Sequence, residues 1–450
     1  MEWKIFKAYD IRGIYPSEIN EKMVYETAKG YVKVFNPKTI AVGMDARLSS
    51  PALKDSLLNG LLECGVDVID IGGITTDMLY FTVGKYGYDG GIIVSASHNP
   101  GEYNGLKMVR EKACAISSDT GLFEIRDMMK AGKHMSAPAN QKGTVKNKEI
   151  LDDYISHVLS FIDTSKIKPF KIVANANFGY VSKSLQPIFK TIPLQVMPLN
   201  FEPDGSFPKG PPDPLLPGNR TETSQLIQKE SADFGVAWDA DADRVMFFDE
   251  KGEFVSGAYI GALLASIMLD KNGADNKIIY DPRTTWPILK AVQAKGGTPI
   301  LWKCGHTFIK DKMRSDNALF ASEMSAHYYF RDNYYADNGL IPFLLILEHL
   351  SNTGLTFSQM MQPYLQDHCM LGETNFRVSD VPRVINQIKN RFKDGEINEI
   401  DGYSVETNNW RFNIRASNTE PLLRLNVEAR TTEDILMIKK QIEDIISEQS

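Results

Sequence analysis

Two polar clusters in this sequence have residue types and spacing that suit the chemistry of phosphate groups. The first is residues 94–100, VSASHNP, which follow a stretch ending in a short apolar run. Such a run between turn residues predicts a buried strand, and ligands of α/β sheets bind at the carboxyl ends of strands. The hydroxyl of Ser97, next to the imidazole of His98, is therefore a candidate nucleophile or phosphate carrier. An ordinary polar turn before a helix is the alternative.

The second cluster contains three alternating carboxylates, Asp239, Asp241 and Asp243, between the predicted strands 234–238 and 245–248. Carboxylates this close repel one another unless a cation neutralises them, and Mg²⁺ prefers a few carboxylate oxygens together with phosphate oxygens. An EF-hand loop is excluded because its spaced glycine and distal glutamate are missing. The pattern predicts a metal site, with a solvated acidic turn as the alternative.

Two cations stand near turn signals in the first part of the chain. Arg12 is presented by the predicted turn 9–13, and Lys107 closely follows the Asn-Gly pair at 104–105. A lysine near a phosphate-carrying serine could act in proton transfer. An ion pair for Arg12 and a solvated surface position for Lys107 are the ordinary alternatives.

Two later stretches suit a sugar and an anion. Glu323, Ser325 and His327 alternate and would point the same way if their segment is extended, which suits the hydroxyl groups of a sugar. Residues 415–421 combine a guanidinium, two hydroxyls, an amide and loop N–H groups, which together form an anion cradle. A structural role for the first stretch and a simple turn for the second remain open.

The elements that must position these loops alternate between strands and helices. In the first part of the chain, the pattern predicts a helix at 18–35, a strand at 39–43, a helix at 53–64 and a strand at 66–71. This alternation is typical of a mostly parallel sheet covered by helices. Two more such units are expected, with strands at 170–174 and 277–280 and no strong sequence repeat. The last block, with strands at 403–405, 410–414 and 422–429 and a helix at 432–447, predicts a smaller α+β domain.

Length and composition limit the class of protein. The 450 residues suggest three or four domains, and the net charge of −7 argues against a nucleic-acid binder. Four scattered cysteines without a CxxC pair indicate a reduced compartment. The first residues lack the apolar region of a signal peptide, and no apolar run approaches the length of a membrane span. We therefore expect a cytoplasmic protein without a membrane partner.

Together the motifs resemble those of the α-D-phosphohexomutases. Residues 95–100 resemble the active-serine loop of that family, and residues 239–244 resemble its metal loop. Residues 323–327 are similar to its sugar-binding loop, and residues 415–421 are similar to its phosphate loop. The four motifs follow the family's order and spacing over essentially the whole chain. Residues 9–13 and the form Glu-Met-Ser-x-His favour the phosphomannomutase/phosphoglucomutase branch.

The resemblance implies a fold and a reaction. The fold is α/β, with three similar mixed α/β domains and a smaller, mobile C-terminal α+β domain around a central cleft; the boundaries are expected at 1–147, 148–253, 254–366 and 367–450. The reaction interconverts hexose 1-phosphate and hexose 6-phosphate, of mannose, glucose or both, through a phosphoserine and a hexose 1,6-bisphosphate. Mg²⁺ is the implied cofactor, hexose 1,6-bisphosphate the activator, and a monomer or weak dimer the expected assembly.

The resemblance also assigns roles to residues. The catalytic group would be Ser97, His98, Lys107, Arg12 and Arg244. The metal would be held by Asp239, Asp241, Asp243 and, through its phosphate, Ser97. Substrate contacts would come from Tyr9, Arg283, His306, Glu323, Ser325, His327, Arg415, Ser417, Asn418 and Thr419.

The sequence departs from the family pattern at three positions. Ala240, Ser322 and Ala326 stand where the family usually has glycine, and a side chain there strains the loop if positive φ is required. These departures keep open a sugar-phosphate-binding paralogue with lost or weak turnover. A phosphoglucosamine mutase is a further alternative, whereas a serine hydrolase is disfavoured because no GxSxG surrounds Ser97.

Overall fold

The computed structural model describes residues 2–134, 139, 141–416 and 422–447, whose strands form four sheets in four successive parts of the chain. The first three sheets are mixed and carry helices, and the fourth is antiparallel. The predicted fold class, three similar α/β units followed by a smaller α+β unit, is confirmed. The residue numbers of the domain boundaries stay predictions.

The first sheet surrounds the predicted serine loop. Its elements are β1 (Ile11–Ile14), α1 (Glu21–Phe35), β2 (Thr39–Met44), α2 (Ser50–Glu63), β3 (Asp67–Gly73), α3 (Thr76–Tyr86), β4 (Gly90–Val94), β5 (Tyr103–Arg110), α4 (Phe123–Lys130) and β6 (Val145–Asn147). The strand order is β1-β5-β4-β2-β3-β6, in which β5 runs antiparallel to both of its neighbours. The parallel strands β4, β2, β3 and β6 make up the rest of the sheet.

The second and third sheets follow in the same manner. The second unit contains α5 (Leu151–Leu159), β7 (Phe170–Asn175), α6 (Val181–Thr191), β8 (Leu194–Leu199), α7 (Thr221–Glu230), β9 (Phe234–Trp238), β10 (Val245–Phe248) and β11 (Phe254–Val255). The third contains α8 (Gly257–Asn272), β12 (Lys277–Tyr280), α9 (Trp286–Ala294), β13 (Thr298–Leu301), α10 (His306–Asp316), β14 (Phe320–Ser322), β15 (Tyr328–Phe330), β16 (Ala336–Asp337), α11 (Leu340–Thr353) and α12 (Phe357–Leu365).

These three sheets share one strand order, which the sequence itself does not reveal as a repeat. In each, the first parallel strand (β2, β7 or β12) lies between the second (β3, β8 or β13) and the third (β4, β9 or β14). An antiparallel strand (β5, β10 or β15) then pairs with the third. The turn between the third strand and its antiparallel neighbour therefore occupies the same place in every unit. It is residues 95–102 in the first, 239–244 in the second and 323–327 in the third.

The fourth unit has a core of its own. It contains β17 (Cys369–Arg377), α13 (Val381–Arg391), β18 (Glu396–Asn398), β19 (Tyr403–Glu406), β20 (Trp410–Ala416), β21 (Leu422–Ala429) and α14 (Thr432–Ser447). Its buried apolar side chains, among them Phe412 and Ile438, form a separate cluster. By contrast, one continuous cluster joins the second and third units to the α3 face of the first sheet.

The Asn-Gly pair at 104–105 does not form a turn, so that interpretation is wrong. Both residues lie within β5, where Gly105 pairs with Arg12 of β1. Glycine is required there because a Cβ would lie 2.2 Å from the carbonyl oxygen of Ile11. As a consequence, Lys107 is a buried strand residue opposite Ile93 rather than a surface side chain.

In the part of the chain that the structure describes, no single helix is long and apolar enough to cross a membrane. The pair α11 and α12, bent by 100° at a short break, passes that test only when the two are taken together.

Replacing Gly105 with alanine should destabilise the first sheet, because the new Cβ would meet the carbonyl oxygens of Ile11 and Ser95. Overpacking of this kind costs about 1–3 kcal/mol, which scanning calorimetry should record as a lower unfolding midpoint. Gly372→Ala is the matched control, since a Cβ at this strand glycine has no atom within 4 Å. Equal midpoints for the two variants would contradict the close approach of β1 and β5.

Candidate active site

The three turns that follow β4, β9 and β14 meet at one place. The hydroxyl of Ser97 in the first turn donates to Asp239 Oδ2 in the second, at 3.2 Å. Arg244 at the end of the second turn forms an isolated antiparallel bridge with His327 in the third. The polar clusters predicted from sequence in the first three units are therefore brought together by the shared topology.

Ser97 lies at the centre of this meeting point in an unusual backbone conformation. It is 3% exposed, and its φ of +51° lies in the left-handed region that side-chain-bearing residues rarely adopt. Its N–H donates to Ser95 Oγ at 3.0 Å, and its Oγ is 3.2 Å from His98 Nδ1. The hydroxyl therefore has an imidazole on one side and the carboxylate of Asp239 on the other.

The three aspartates of the second turn are fully buried and close together. Burial raises the pKa of Asp239. Burial would also raise the pKa of Asp241, but the ammonium group of Lys107 outweighs it and holds that pKa well below its usual range. Thr76 of α3 donates from its hydroxyl to Asp241 Oδ2 at 2.5 Å.

These carboxylates fit a divalent metal ion. Their ligand oxygens lie within 4.8 Å of one another. Oδ1 of Asp241 and Oδ1 of Asp243 are buried without a hydrogen-bond partner among the described residues. A buried oxygen without a hydrogen-bond partner destabilises the folded protein. Mg²⁺ prefers hard oxygen ligands, such as carboxylates together with the phosphate that a nearby hydroxyl can carry. The triad can thus hold such an ion.

Two buried cations balance the triad. Lys107 Nζ lies 2.6 Å from Asp241 Oδ2 and 2.5 Å from Asp243 Oδ2, and Arg244 Nε donates to Asp239 Oδ2 at 2.9 Å. Although burial lowers the pKa of Lys107, its two carboxylate partners raise it by more, so the side chain is charged. Nη2 of Arg244 is buried and has no partner in the described part of the chain, which leaves a donor for an anion.

Further charged groups lie close to Ser97 and His98. Arg12 donates to Asn99 Oδ1 at 2.6 Å and pairs with Asp10. Asp213 lies 3.5 Å from Arg244 Nη1 and 4.0 Å from His98 Nε2. Desolvation in the cleft, followed by the positive charges of Arg244 and Arg12, lowers the pKa of His98. The lowered pKa keeps His98 a neutral imidazole, whose Nδ1 can accept a hydrogen bond from the hydroxyl of Ser97.

The third turn is not extended, so the condition under which Glu323, Ser325 and His327 would point the same way is not met. It is a hairpin turn between β14 and β15, in which the N–H of Ala326 donates to the carbonyl of Glu323 at 3.0 Å. The reason is topological, since a short link between antiparallel strands must reverse direction. The three side chains are nevertheless held in one region.

Glu323 is anchored by a buried network. Its Oε1 accepts from Arg283 Nη2 at 3.2 Å and from the N–H of Gly305 at 3.0 Å, and its Oε2 accepts from the hydroxyl of Tyr329. Arg283 also bonds Asp281 through two nitrogens and donates to Ser325 Oγ at 3.3 Å. Arg283 thus supports the turn in addition to any substrate contact.

The histidines of the third unit stand beside the triad. His327 Nδ1 is 3.0 Å from Asp337 Oδ2 and 3.9 Å from Asp243 Oδ1. Burial lowers the pKa of His327, but Asp243 and Asp337 raise it by more. Its ring stacks on that of His306 with 6.3 Å between centroids, and burial lowers the pKa of His306.

Tyr9 brings the start of the chain to the third unit. Its ring lies edge-on to His306 at 5.7 Å, and its hydroxyl donates to the carbonyl of Cys304 at 3.4 Å. Burial raises the pKa of Tyr9, and the nearby charge of Arg415 opposes that rise. Tyr9 and His306 therefore stand together, as the predicted substrate contacts require.

Arg415 is the described part of the predicted phosphate loop. It lies near the end of β20, and its Nη2 is 3.3 Å from Glu373 Oε2. It lies at the start of that loop, close enough to Tyr9 for its charge to act on that residue's pKa. Among the described residues it forms no hydrogen bond or ion pair with Ser97 or the triad. Ser417, Asn418 and Thr419 lie outside the described residues.

Four residues of this region carried no sequence assignment. Asp213 comes from the irregular loop at 203–219, and Asp337 and Lys310 form a fully buried ion pair at 2.7 Å beside His327. Arg47 donates to carbonyls of the serine turn. No motif marks the first three, whereas the Asp-Ala-Arg triplet after β2 is a signal that could have drawn attention to Arg47.

Only one of the three positions that replace a usual glycine has positive φ. That position is Ala326, at +67°, whereas Ala240 and Ser322 have ordinary φ. In the second turn the left-handed residue is Ala242, at +54°. The expected strain therefore applies to the third turn, at Ala326, and not to the second turn at Ala240.

Comparison with known proteins extends over the whole chain. Family sequence models described as phosphoglucomutase/phosphomannomutase, alpha/beta/alpha domains I, II and III, match residues 3–135, 152–252 and 256–367. The model of the C-terminal domain of the same family matches residues 373–445. The four matches occur in the order of the four sheets.

Individual relatives agree with these matches. The phosphohexose mutases of Xanthomonas campestris pv. campestris are 43% identical over 438 residues, which is 97% of both chains. The phosphomannomutase of Escherichia coli K12 is 42% identical over 94% of both chains. The crystal structure of a phosphoglucomutase/phosphomannomutase family protein from Burkholderia thailandensis matches with a TM-score of 0.88 and 28% identity, covering 100% of this chain and 98% of that one.

Asp243→Asn should weaken binding of a divalent ion, because it removes one charge from the triad. Oδ1 of Asp243, which has no hydrogen-bond partner among the described residues, is the oxygen most available to the ion. We expect an affinity loss of about tenfold or more, measured by titration with Mn²⁺ under electron paramagnetic resonance. Asp233→Asn is the control, since Asp233 is exposed in the same unit. If both variants bind the ion as the unaltered protein does, the triad is not a metal site.

Proposed function

This chain belongs to the phosphoglucomutase/phosphomannomutase family and is a hexose-phosphate mutase, and from that premise we propose that it interconverts mannose 1-phosphate and mannose 6-phosphate. Glucose phosphates are proposed as second substrates. The mannose preference is supported by relatives named phosphomannomutase at 42% identity. The observation that carries the mechanism is the position of Ser97 Oγ, 3.2 Å from Asp239 within the buried triad.

In the proposed reaction, Ser97 carries a phosphoryl group that it transfers to the free hydroxyl of a hexose monophosphate. The bond between phosphorus and Ser97 Oγ breaks as the bond from phosphorus to the sugar oxygen forms. The protein takes up the proton of the sugar hydroxyl, and the serine oxygen receives a proton in return. The bisphosphate then reorients, and the reverse transfer from its other phosphate restores the phosphoserine.

The charges of this chain suit that transfer. Phosphoryl transfer depends mainly on positioning and on neutralising the oxygens of the transferred group. Lys107 remains charged, and Arg244 keeps one buried donor, Nη2, that has no partner among the described residues. When bound to the triad, Mg²⁺ would supply further neutralisation at the phosphate on Ser97. His98, 3.2 Å from Ser97 Oγ, is positioned to accept a hydrogen bond from the serine hydroxyl.

The third and fourth units are proposed to hold the sugar and the phosphate that is not transferred. Glu323 Oε2 accepts one hydrogen bond from Tyr329 and retains capacity for a sugar hydroxyl. Ser325 and His327 stand in the same turn. Arg415 at the start of the fourth unit's loop, with Ser417, Asn418 and Thr419, would bind the distal phosphate. The separate core of that unit is compatible with its closing over the cleft.

The remaining expectations about partners also stand as proposals. Hexose 1,6-bisphosphate would act as activator by phosphorylating Ser97 whenever the bisphosphate has been lost. We propose a cytoplasmic monomer or weak dimer whose partners are small hexose phosphates rather than nucleic acid or membrane.

Ser97→Ala should lose nearly all turnover while keeping its fold, because the phosphate carrier is absent. A coupled assay with the 1-phosphates of mannose, glucose and glucosamine, with Mg²⁺ and a trace of bisphosphate, measures the loss and the substrate order. Intact mass and peptide mapping locate the phosphate. Ser118→Ala, a serine of the first unit whose hydroxyl bonds Asp119, should behave as the unaltered protein.

Each part of that assay has an outcome that would contradict the proposed function. Full mutase activity in Ser97→Ala would remove Ser97 from the mechanism. Preference for glucosamine 1-phosphate would favour the phosphoglucosamine alternative. Absence of turnover with all three sugars in the unaltered protein, together with tight binding of one, would favour the binding paralogue.

Arg415→Ala should weaken capture of sugar phosphate and increase release of bisphosphate, because one charge of the distal phosphate site is lost. Phosphorylation of Ser97 by bisphosphate should persist, since that chemistry belongs to the first two units. Released bisphosphate can be counted per turnover, and X-ray scattering with and without substrate reports any closure. Arg377→Ala, an exposed arginine on the same sheet, is the control. Unchanged affinity and release in Arg415→Ala would exclude this loop.

A further inference from the structure

A single arginine holds the main chain of the serine turn. Nη2 of Arg47 donates to the carbonyl oxygens of Ser97 at 2.7 Å and Asn99 at 2.6 Å. Its Nη1 donates to those of Pro100 at 2.5 Å and Tyr103 at 3.0 Å. All four terminal N–H groups of the guanidinium are thus used by the serine turn and the first residue of β5.

The guanidinium is itself fixed in place. Its Nε donates to Asp45 Oδ2 at 3.1 Å, and Asp45 Oδ1 accepts from the N–H of Arg47 and from Ser50 Oγ. Arg47 is 1% exposed, and its guanidinium lies 5.0 Å from the ring centre of Phe207. Because every donor is used and the rotamer is locked, small movements of the turn break hydrogen bonds.

Corresponding positions in the other two units also contact the end of the third strand or the turn that follows it, although with different partner atoms. Arg47 is the third residue after β2 ends, and it bonds the turn that follows β4. Asn177, two residues after the end of β7, donates to the carbonyl of Trp238 at the start of the second turn, at 2.6 Å. Arg283, after β12, donates to Glu323 and Ser325 of the third turn.

The local geometry of these three residues is also shared. In each case the backbone N–H donates to a side-chain oxygen two residues earlier in the chain. Arg47 donates to Asp45 at 3.1 Å, Asn177 to Asn175 at 2.9 Å, and Arg283 to Asp281 at 2.8 Å. Because this geometry occurs in all three units, we interpret contact with the region after the third strand as a shared role of the residue that follows the first parallel strand.

We infer that Arg47 is a positioning residue, which holds Ser97 in its left-handed conformation and so keeps Oγ directed at the acidic triad. This inference rests on the proposed role of Ser97 as phosphate carrier. The left-handed backbone of a serine persists only where its surroundings enforce it. The carbonyl of Ser97 itself is one of the four that Arg47 binds.

Lysine cannot replace this arrangement. Its ammonium group keeps the positive charge but is a compact point charge with three donors, whereas Arg47 reaches four carbonyls and Asp45 through a planar fork. Arg47→Lys therefore separates geometry from charge. Asp45→Asn weakens only the contact that fixes the guanidinium of Arg47, because it removes the negative charge of its partner. It serves as a second variant if Arg47→Lys fails to fold.

The test compares these variants with Arg314→Lys, a matched control. Arg314 also donates to several carbonyls, those of Lys112, Ala113 and Tyr334, away from the serine turn. Three quantities are measured: the rate of Ser97 labelling by radioactive glucose 1,6-bisphosphate, the split between kcat and KM, and amide hydrogen exchange of residues 95–104. Thermal midpoints are recorded alongside.

In Arg47→Lys, the labelling rate and kcat should fall about 100-fold, the loss expected from misplacing a reacting atom by about 1 Å. KM should change little, because sugar and distal phosphate are bound by other units. Hydrogen exchange should accelerate within 95–104 and stay unchanged elsewhere. Arg314→Lys should leave labelling, kcat and exchange of 95–104 as in the unaltered protein.

Labelling and kcat within twofold of the unaltered protein would overturn the inference, and so would equal losses in Arg314→Lys. If the unaltered protein is never labelled on Ser97, the proposed function fails instead. In that event the exchange measurement decides on Arg47 alone. Faster exchange confined to 95–104 supports the positioning role, and unchanged exchange overturns it.

Discussion

The structure depends above all on the balance of charges buried between the first and second sheets. Asp239, Asp241 and Asp243 are removed from water, and their compensation comes from Arg244 in the same turn and from Lys107 in β5 of the other sheet. Removing one partner of a buried pair leaves an uncompensated charge, which is strongly destabilising. The two units are therefore held in one relative position by the same groups that are available for phosphate chemistry.

The shared strand order explains how turns with three different sets of side chains come to lie beside one another. Each unit supplies a turn at the same place, so the hydroxyl of Ser97, the three carboxylates and the turn that carries Glu323 and His327 can meet without any shared sequence. The fourth unit is attached differently. Glu428 of β21 accepts from the N–H groups of Thr285 and Trp286 at the start of α9, and from Arg411. These bonds tie it to the third unit, while its core stays separate.

Local patterns predict most of the strands and the loops that follow them, because apolar runs and turn residues are local features. The strand at 422–429 and the helix at 432–447 match the structure. The sequence pattern does not predict helix α3, because this helix is buried on nearly all sides and has no polar face. The hairpin at 323–327 joins two neighbouring strands of three residues each, which are too short to give a clear alternating pattern. The strand context of Lys107 and the contacts of Asp213, Asp337 and Lys310 depend on partners far along the chain. No local pattern contains that information.

The three positions that depart from the family's glycines can be judged by the same physical reasoning. Ala240 and Ser322 have ordinary φ, so their side chains need only space. Ser322 has that space because Gly261 of α8 lies opposite, where a Cβ would come within 2.5 Å of Ser322 Oγ. Ala326 alone occupies the left-handed region, at a cost of roughly 1–2 kcal/mol. That cost falls on the turn that carries Glu323 and His327, which is the turn proposed to hold the sugar, whereas Ala240 beside the aspartates carries no such cost.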